Sequence, residues 1–143
     1  MFRKNLAFIF ELADSGAPLA QILSAFVETF LAIEDHIEIH GGPEIASREY
    51  ERFRSSILTI ADGVAGLNEE FQLQLDGNLG FLRTAVRNED PPDGVLFFLA
   101  RTLDAVRTPI DLLPAEREER ASQEIEAGVR RMLGGLHELE ALF

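Results

Sequence analysis

The sequence predicts an all-α fold: an up-and-down helical bundle of five to six helices built on two αα-hairpins, forming one domain over residues 1–143. Three observations lead there. Apolar residues recur at alternating steps of three and four through most of the chain, the spacing that lines one face of an α-helix. The two clearest runs are parted by Gly41-Gly42-Pro43, a helix stop followed by a helix start. The chain has 143 residues, 46% of them hydrophobic and 27% charged, which is enough to bury a core without covalent or metal staples.

Residues 2–14 read as a short first helix ending at Ser15-Gly16. Pro18 suits the first turn of the second helix, whose stripe is Leu19, Leu23, Phe26, Phe30, Ile33 and Ile37. Beyond the glycine turn the spacing resumes as Ala46, Tyr50, Phe53, Ile57, Ile60, Val64, Leu67 and Phe71. Positions equidistant from the turn match in type, with Phe30 opposite Phe53 and Phe26 opposite Ile57, the registry of an antiparallel hairpin.

Residues 72–90 can be read two ways. Phe71 to Phe81 around Asp76-Gly77-Asn78 has the form of a β-hairpin. Phe71, Leu75, Leu79, Leu82 and Val86 equally define a helix face, and in an otherwise helical chain a helix broken near Gly77 is the expectation. Asp93 is placed to cap a helix carrying Leu96, Leu99, Leu103, Val106 and Ile110, punctuated by Pro109 and Pro114. Val95-Leu96-Phe97-Phe98-Leu99-Ala100 is the longest apolar block and reads as core. A final helix carries Ile125, Val129, Met132, Leu136, Leu139 and Phe143, and pairs with its predecessor in the second hairpin.

Composition removes several functions. The absence of cysteine excludes disulfides, thiolate catalysis and cysteine-based metal sites. A net charge of −12 argues against a nucleic-acid partner. Met1-Phe2-Arg3-Lys4 resembles the basic start of a signal peptide, but the apolar run that follows is interrupted at Glu11. No stretch reaches the length of a membrane span, so no membrane partner is expected and a cytoplasmic location is. With a single lysine among 13 basic residues, the arginine bias fits a GC-rich bacterial genome.

The candidate chemistry is sparse. His36 and His40 lie four apart near the end of the second helix, with Glu44 just past the turn, the elements of a metal site. Ile37 occupies the position where the zincin pattern needs glutamate, and no Glu precedes a histidine by three, as carboxylate-bridged di-metal bundles require. A helix end favouring imidazolium explains the pair more simply. A histidine phosphotransfer bundle needs Lys and Gly soon after the His, where Ile37, Glu38 and Ile39 stand. No phosphate loop, nucleophile elbow or Ser/His/Asp set appears, so no catalytic residue and no cofactor is assigned.

Between Lys4 and Arg48 there is no Lys or Arg, and Glu28, Glu34, Asp35 and Glu38 define an acidic face. Such a face either steers a basic protein partner or pairs internally with Arg48, Arg52 and Arg54. Leu136, Leu139 and Phe143 overrun the preceding helix, and Gly134-Gly135 beside them suits close backbone approach, so a homodimer through the final helix is expected, the alternative being cover by residues 79–87 or the first helix within one chain. The resulting expectation is a non-enzymatic protein-interaction module: an adaptor, assembly factor or secretion-type chaperone. The alternative is a bundle that binds a metal through His36 and His40, or a small ligand in a Phe-lined cavity.

Overall fold

The computed structural model describes residues 3–40, 47–112 and 126–141, and every regular element among them is an α-helix. The helices are α1 (Arg3–Asp14), α2 (Leu19–His40), α3 (Ser47–Phe71), α4 (Asp76–Arg87), α5 (Pro92–Asp111) and α6 (Glu126–Glu140). The expected bundle is therefore present, and 72–90 is largely helix. None of the described helices is long and apolar enough to cross a membrane. Ala46, Ile125 and Phe143 lie outside the described residues.

The ends of the helices follow from local chemistry. Gly16, at φ +73°, closes α1: its N–H donates to the Ala13 carbonyl and that of Ala17 to Leu12, the paired bonds of a Schellman cap. The chain does not break at Gly77. It leaves α3 through Gln72 and Gln74, both left-handed at φ 52° and 61°. Asn68 organises that passage, its Oδ1 accepting the Leu75 N–H at 2.8 Å and its Nδ2 donating to Asp76 Oδ1 at 3.0 Å. The strain of two left-handed glutamines is offset by seating Leu75 in the core and Leu73 against it. Asp93 is not the cap of α5, because Pro91 occupies the N-cap and Pro92 already starts the helix.

Among the described side chains both long apolar stripes are buried as expected except at Phe71, which is half-buried, and the side chain of Ile37 lies outside the described residues. Leu19, Leu23, Phe26, Phe30 and Ile33 of α2, and Phe53, Ile57, Ile60 and Val64 of α3, are fully inaccessible in one continuous core. Their backbones are not closest neighbours, however. Among the described residues α2 packs most extensively on α5, and α3 on α6. Neither expected hairpin is one of the close pairs among the described residues, and the connections at 41–46 and 113–125 lie outside them. α1 lies across α2 and α6, while α4 returns antiparallel along α3 and also touches α5.

The reason lies in side-chain size. A Cβ added to Gly63 would fall 2.7 Å from the Gly128 carbonyl oxygen, and one on Gly135 would fall 2.9 Å from that of Ser56. Gly63 and Ser56 of α3 thus meet Gly128 and Gly135 of α6 in one antiparallel register, two turns apart on each helix, with the backbones in van der Waals contact. Mirror-matched stripes mark two faces that share a core. Small residues decide which helices approach closely.

Candidate functional site

Among the described residues the corner where α4 turns into α5 carries two exposed large apolar side chains, Phe81 and Phe97, whereas Phe8, Leu31 and Leu112 are exposed singly on α1, on α2 and after α5. Along α4 the residues Leu79, Leu82, Ala85 and Val86 face the core, which leaves Phe81 on the far side, 55% exposed. Along α5 six consecutive apolar residues cannot all face inward at 100° per residue. Val95, Leu96, Leu99 and Ala100 are buried, Phe98 is half-buried, and Phe97 is 44% exposed. The sequence reading of 95–100 as core is corrected there: Phe97 points outward.

Phe81 and Phe98 meet across the two helices, with ring centroids 4.5 Å apart and planes tilted by 42°. Together with Phe97, Ala85 and Gly94 they line a notch of about 400 Å³. A Cβ on Gly94 would meet no atom within 4 Å, so the space beside it is open. Asp90 and Asp93 stand at the rim. Among the described residues neither carboxylate enters an ion pair. The Arg101 guanidinium lies over the Phe97 ring at 5.7 Å, a cation–π contact at the outer edge.

The rim is anchored from α3. Tyr50 Oη donates to the Asp90 carbonyl at 2.7 Å, and Arg54 Nε to the Val86 carbonyl at 3.0 Å. Arg54 also pairs with Glu89 at 3.6 Å and lies 5.6 Å from the Tyr50 ring centre. Glu89 takes the left-handed position that Gly16 fills after α1, and the Asp90 N–H donates to Ala85 in the same capping pattern. Burial and the nearby Asp90 push the Tyr50 hydroxyl up to about 12. Arg54 is thus committed to α4 and does not serve the acidic face of α2, which removes it from the expected internal pairing.

The candidate metal and acidic residues belong to α2 or follow it in sequence. His36 is half-buried on α2. His40 ends that helix, with its side chain, like Glu44, outside the described residues. Among the described residues no three His, Asp or Glu side chains are grouped as a metal site would need. Glu28 and Asp35 are exposed on α2, Glu34 is half-buried, and the side chain of Glu38 lies outside the described residues. Leu31, 39% exposed, sits between Glu28 and Asp35 on that narrow face.

The final helix differs from expectation. Leu136 and Leu139 are at most 1% exposed within the single chain. α3 and α1 cover the face that the preceding helix was thought to leave bare. Gly135 is packed on α3, whereas Gly134 is open to solvent. A second copy therefore has nothing left to cover at Leu136 and Leu139.

Phe81 and Phe97 escaped the sequence reading because they lie beside residues that do belong to the core. Projecting residues 79–86 and 95–103 on helical wheels would have set both phenylalanines off the buried arc. Compared with protein-family models, curated proteins and solved structures, the chain matches none of them.

Proposed function

We propose that this chain is a non-enzymatic protein-interaction module that docks its partner through the aromatic notch between α4 and α5. The observation that carries this reading is the gathering of Phe81, Phe97 and Phe98 from two helices around one open notch, while the other exposed large apolar residues, Phe8, Leu31 and Leu112, stand singly on α1, on α2 and after α5. Burying a Phe fully is worth about 1.5–3 kcal/mol, so a partner covering two half-exposed rings gains about that much in total. Aromatic anchors seated in a pocket are the usual centre of binding energy at protein interfaces. The notch holds no grouping of nucleophile, base and oxyanion donors, and its polar groups stand at the edge.

The test begins with proteins that copurify from native cells with the parent chain and not with Phe81→Ser/Phe97→Ser. The retained candidate is then reconstituted from pure components. About tenfold weaker binding or worse in the double variant, at unchanged Tm, is the expected result. Equal affinity for parent and variant would overturn the reading. The same notch is large enough for a small apolar ligand. That second reading predicts a bound compound in native mass spectra of the parent that is missing from the double variant.

A further inference from the structure

We infer that the occupant of the α4–α5 notch is a cationic amphipathic helix, which sets large apolar side chains against Phe81 and Phe97 and its basic groups against Asp90 and Asp93. The inference rests on the reading of the notch as a protein-docking site and adds the chemistry of what docks. Charge complementarity carries it. The two rim carboxylates enter no ion pair among the described residues, while Arg54 and Arg83 of the same region are engaged by Glu89 and Asp62. Arg87 at the end of α4 is exposed, in no ion pair among the described residues and not among those that line the notch. Arg101, the cation nearest the rings, is held over Phe97. An incoming basic group therefore meets free acid at the rim.

The net charge of −12 extends the same preference over longer range. It also disfavours a second copy of this chain, which would bring Asp90 and Asp93 toward another equally acidic surface. The shape suits a helix. The notch runs between two helices and is lined by Gly94, where no side chain stands, and an amphipathic helix offers apolar residues at three- and four-residue intervals to such a groove. A peptide that docks by strand addition would instead need a sheet edge, and the described residues contain only helices.

Three probes separate the possibilities: a fluorescently labelled Leu/Lys amphipathic peptide of about five helical turns, its Leu/Glu counterpart, and the uncharged dye Nile red. The Leu/Lys peptide is expected to bind about tenfold or more tightly than the Leu/Glu peptide, with an affinity that falls as salt rises. Phe81→Ser/Phe97→Ser should weaken it about tenfold. So should Gly94→Leu, which fills the notch while favouring the helix. Asp90→Asn/Asp93→Asn should abolish the preference for Lys over Glu, whereas Glu28→Gln/Asp35→Asn on α2 should leave it intact.

Equal binding of both peptides, still lost in the phenylalanine and Gly94→Leu variants, would overturn the cationic assignment and leave the docking site standing. A Lys preference lost only in the α2 variant would place cation recognition on the other face and overturn the inference. Absence of any binding by the two peptides and the dye would overturn both the inference and the reading beneath it. Concentration-dependent dimerisation that Gly94→Leu abolishes would assign the notch to a second copy instead.

Discussion

Adjacent glycines in α6 should respond to the same substitution with opposite signs. Gly134 is exposed, and a Cβ there would meet nothing within 4 Å. Replacing it by Ala removes a flexible residue from a helix interior and should stabilise the fold by about 0.8–1 kcal/mol. At Gly135 the new methyl would lie 2.6 Å from Ile60 Cγ1, 2.9 Å from the Ser56 carbonyl oxygen and 3.2 Å from the Ile60 nitrogen. The isoleucine side chain can turn away, but the two backbone atoms belong to α3 and can yield only if one helix moves by about half an ångström. Overpacking of this kind costs about 1–3 kcal/mol, partly offset by the gain in helix propensity, so a net loss of about 1–2 kcal/mol is expected. The two variants should thus differ by about 2–3 kcal/mol, or about 7–12 °C in Tm for a chain of this size. Urea unfolding followed by circular dichroism at constant m-value measures the difference directly. If Gly135→Ala proves as stable as Gly134→Ala within about 0.5 kcal/mol, the helices are not in backbone contact and the account of α3–α6 packing is wrong.

Tyr50→Phe should cost about 1–2 kcal/mol by leaving the Asp90 carbonyl without its buried donor, as read by urea midpoint. Because folding raises the Tyr50 pKa from 10.0 to about 12, its contribution is fully present below pH 10 and is lost as pH rises through that interval; Tyr50→Phe should flatten this part of the stability profile. Asn68→Ala should destabilise by about 1–2 kcal/mol and speed amide exchange at Leu75, since the side chain holds the left-handed passage into α4. Leu136→Glu/Leu139→Glu should unfold the chain rather than split an oligomer, because both positions are buried in the monomer; light scattering showing a folded monomer produced from a parent dimer would refute this. Zinc and EDTA should give the same Tm for the parent and for His36→Ala/His40→Ala, and a zinc-dependent rise confined to the parent would establish the histidine pair as ligands.

The helices were legible because apolar periodicity reports which face of a segment avoids water. Leu19 to Ile33 and Tyr50 to Leu67 were assigned to the core correctly on that basis. The pairing was not legible from the same signal, because a stripe of large side chains is satisfied by any apolar surface. The information lay in small residues instead. Ser56 and Gly63 on one helix, and Gly128 and Gly135 on another, repeat at the seven-residue interval that keeps one side of a helix facing its neighbour. Read as turn signals or isolated costs, glycines conceal this; read as spacing, they name the partner. The notch was hidden for a related reason. A run such as Val95 to Ala100 looks uniformly interior, and only the helical rotation per residue expels Phe97. Glu89 could not have been foreseen at a left-handed position, since Asn88 beside it is the residue type that more often takes that role.

The order in which the helices pair bears on how the chain acquires its structure as it is synthesised. Neither major pairing joins consecutive helices: α2 packs on α5, where Arg107 reaches Ser24 across 83 positions, and α3 packs on α6, whose Arg130 also reaches Asp14 of α1 across 116. A nascent chain ending after α3 would therefore hold two long helices whose closest neighbours had not yet left the ribosome. The glycine face of α3 in particular waits for α6, so the early chain can collapse but cannot settle its backbone contacts. Co-translational protease protection should accordingly appear late and in one step, once the last helix is free, and not build up helix by helix from the N-terminus.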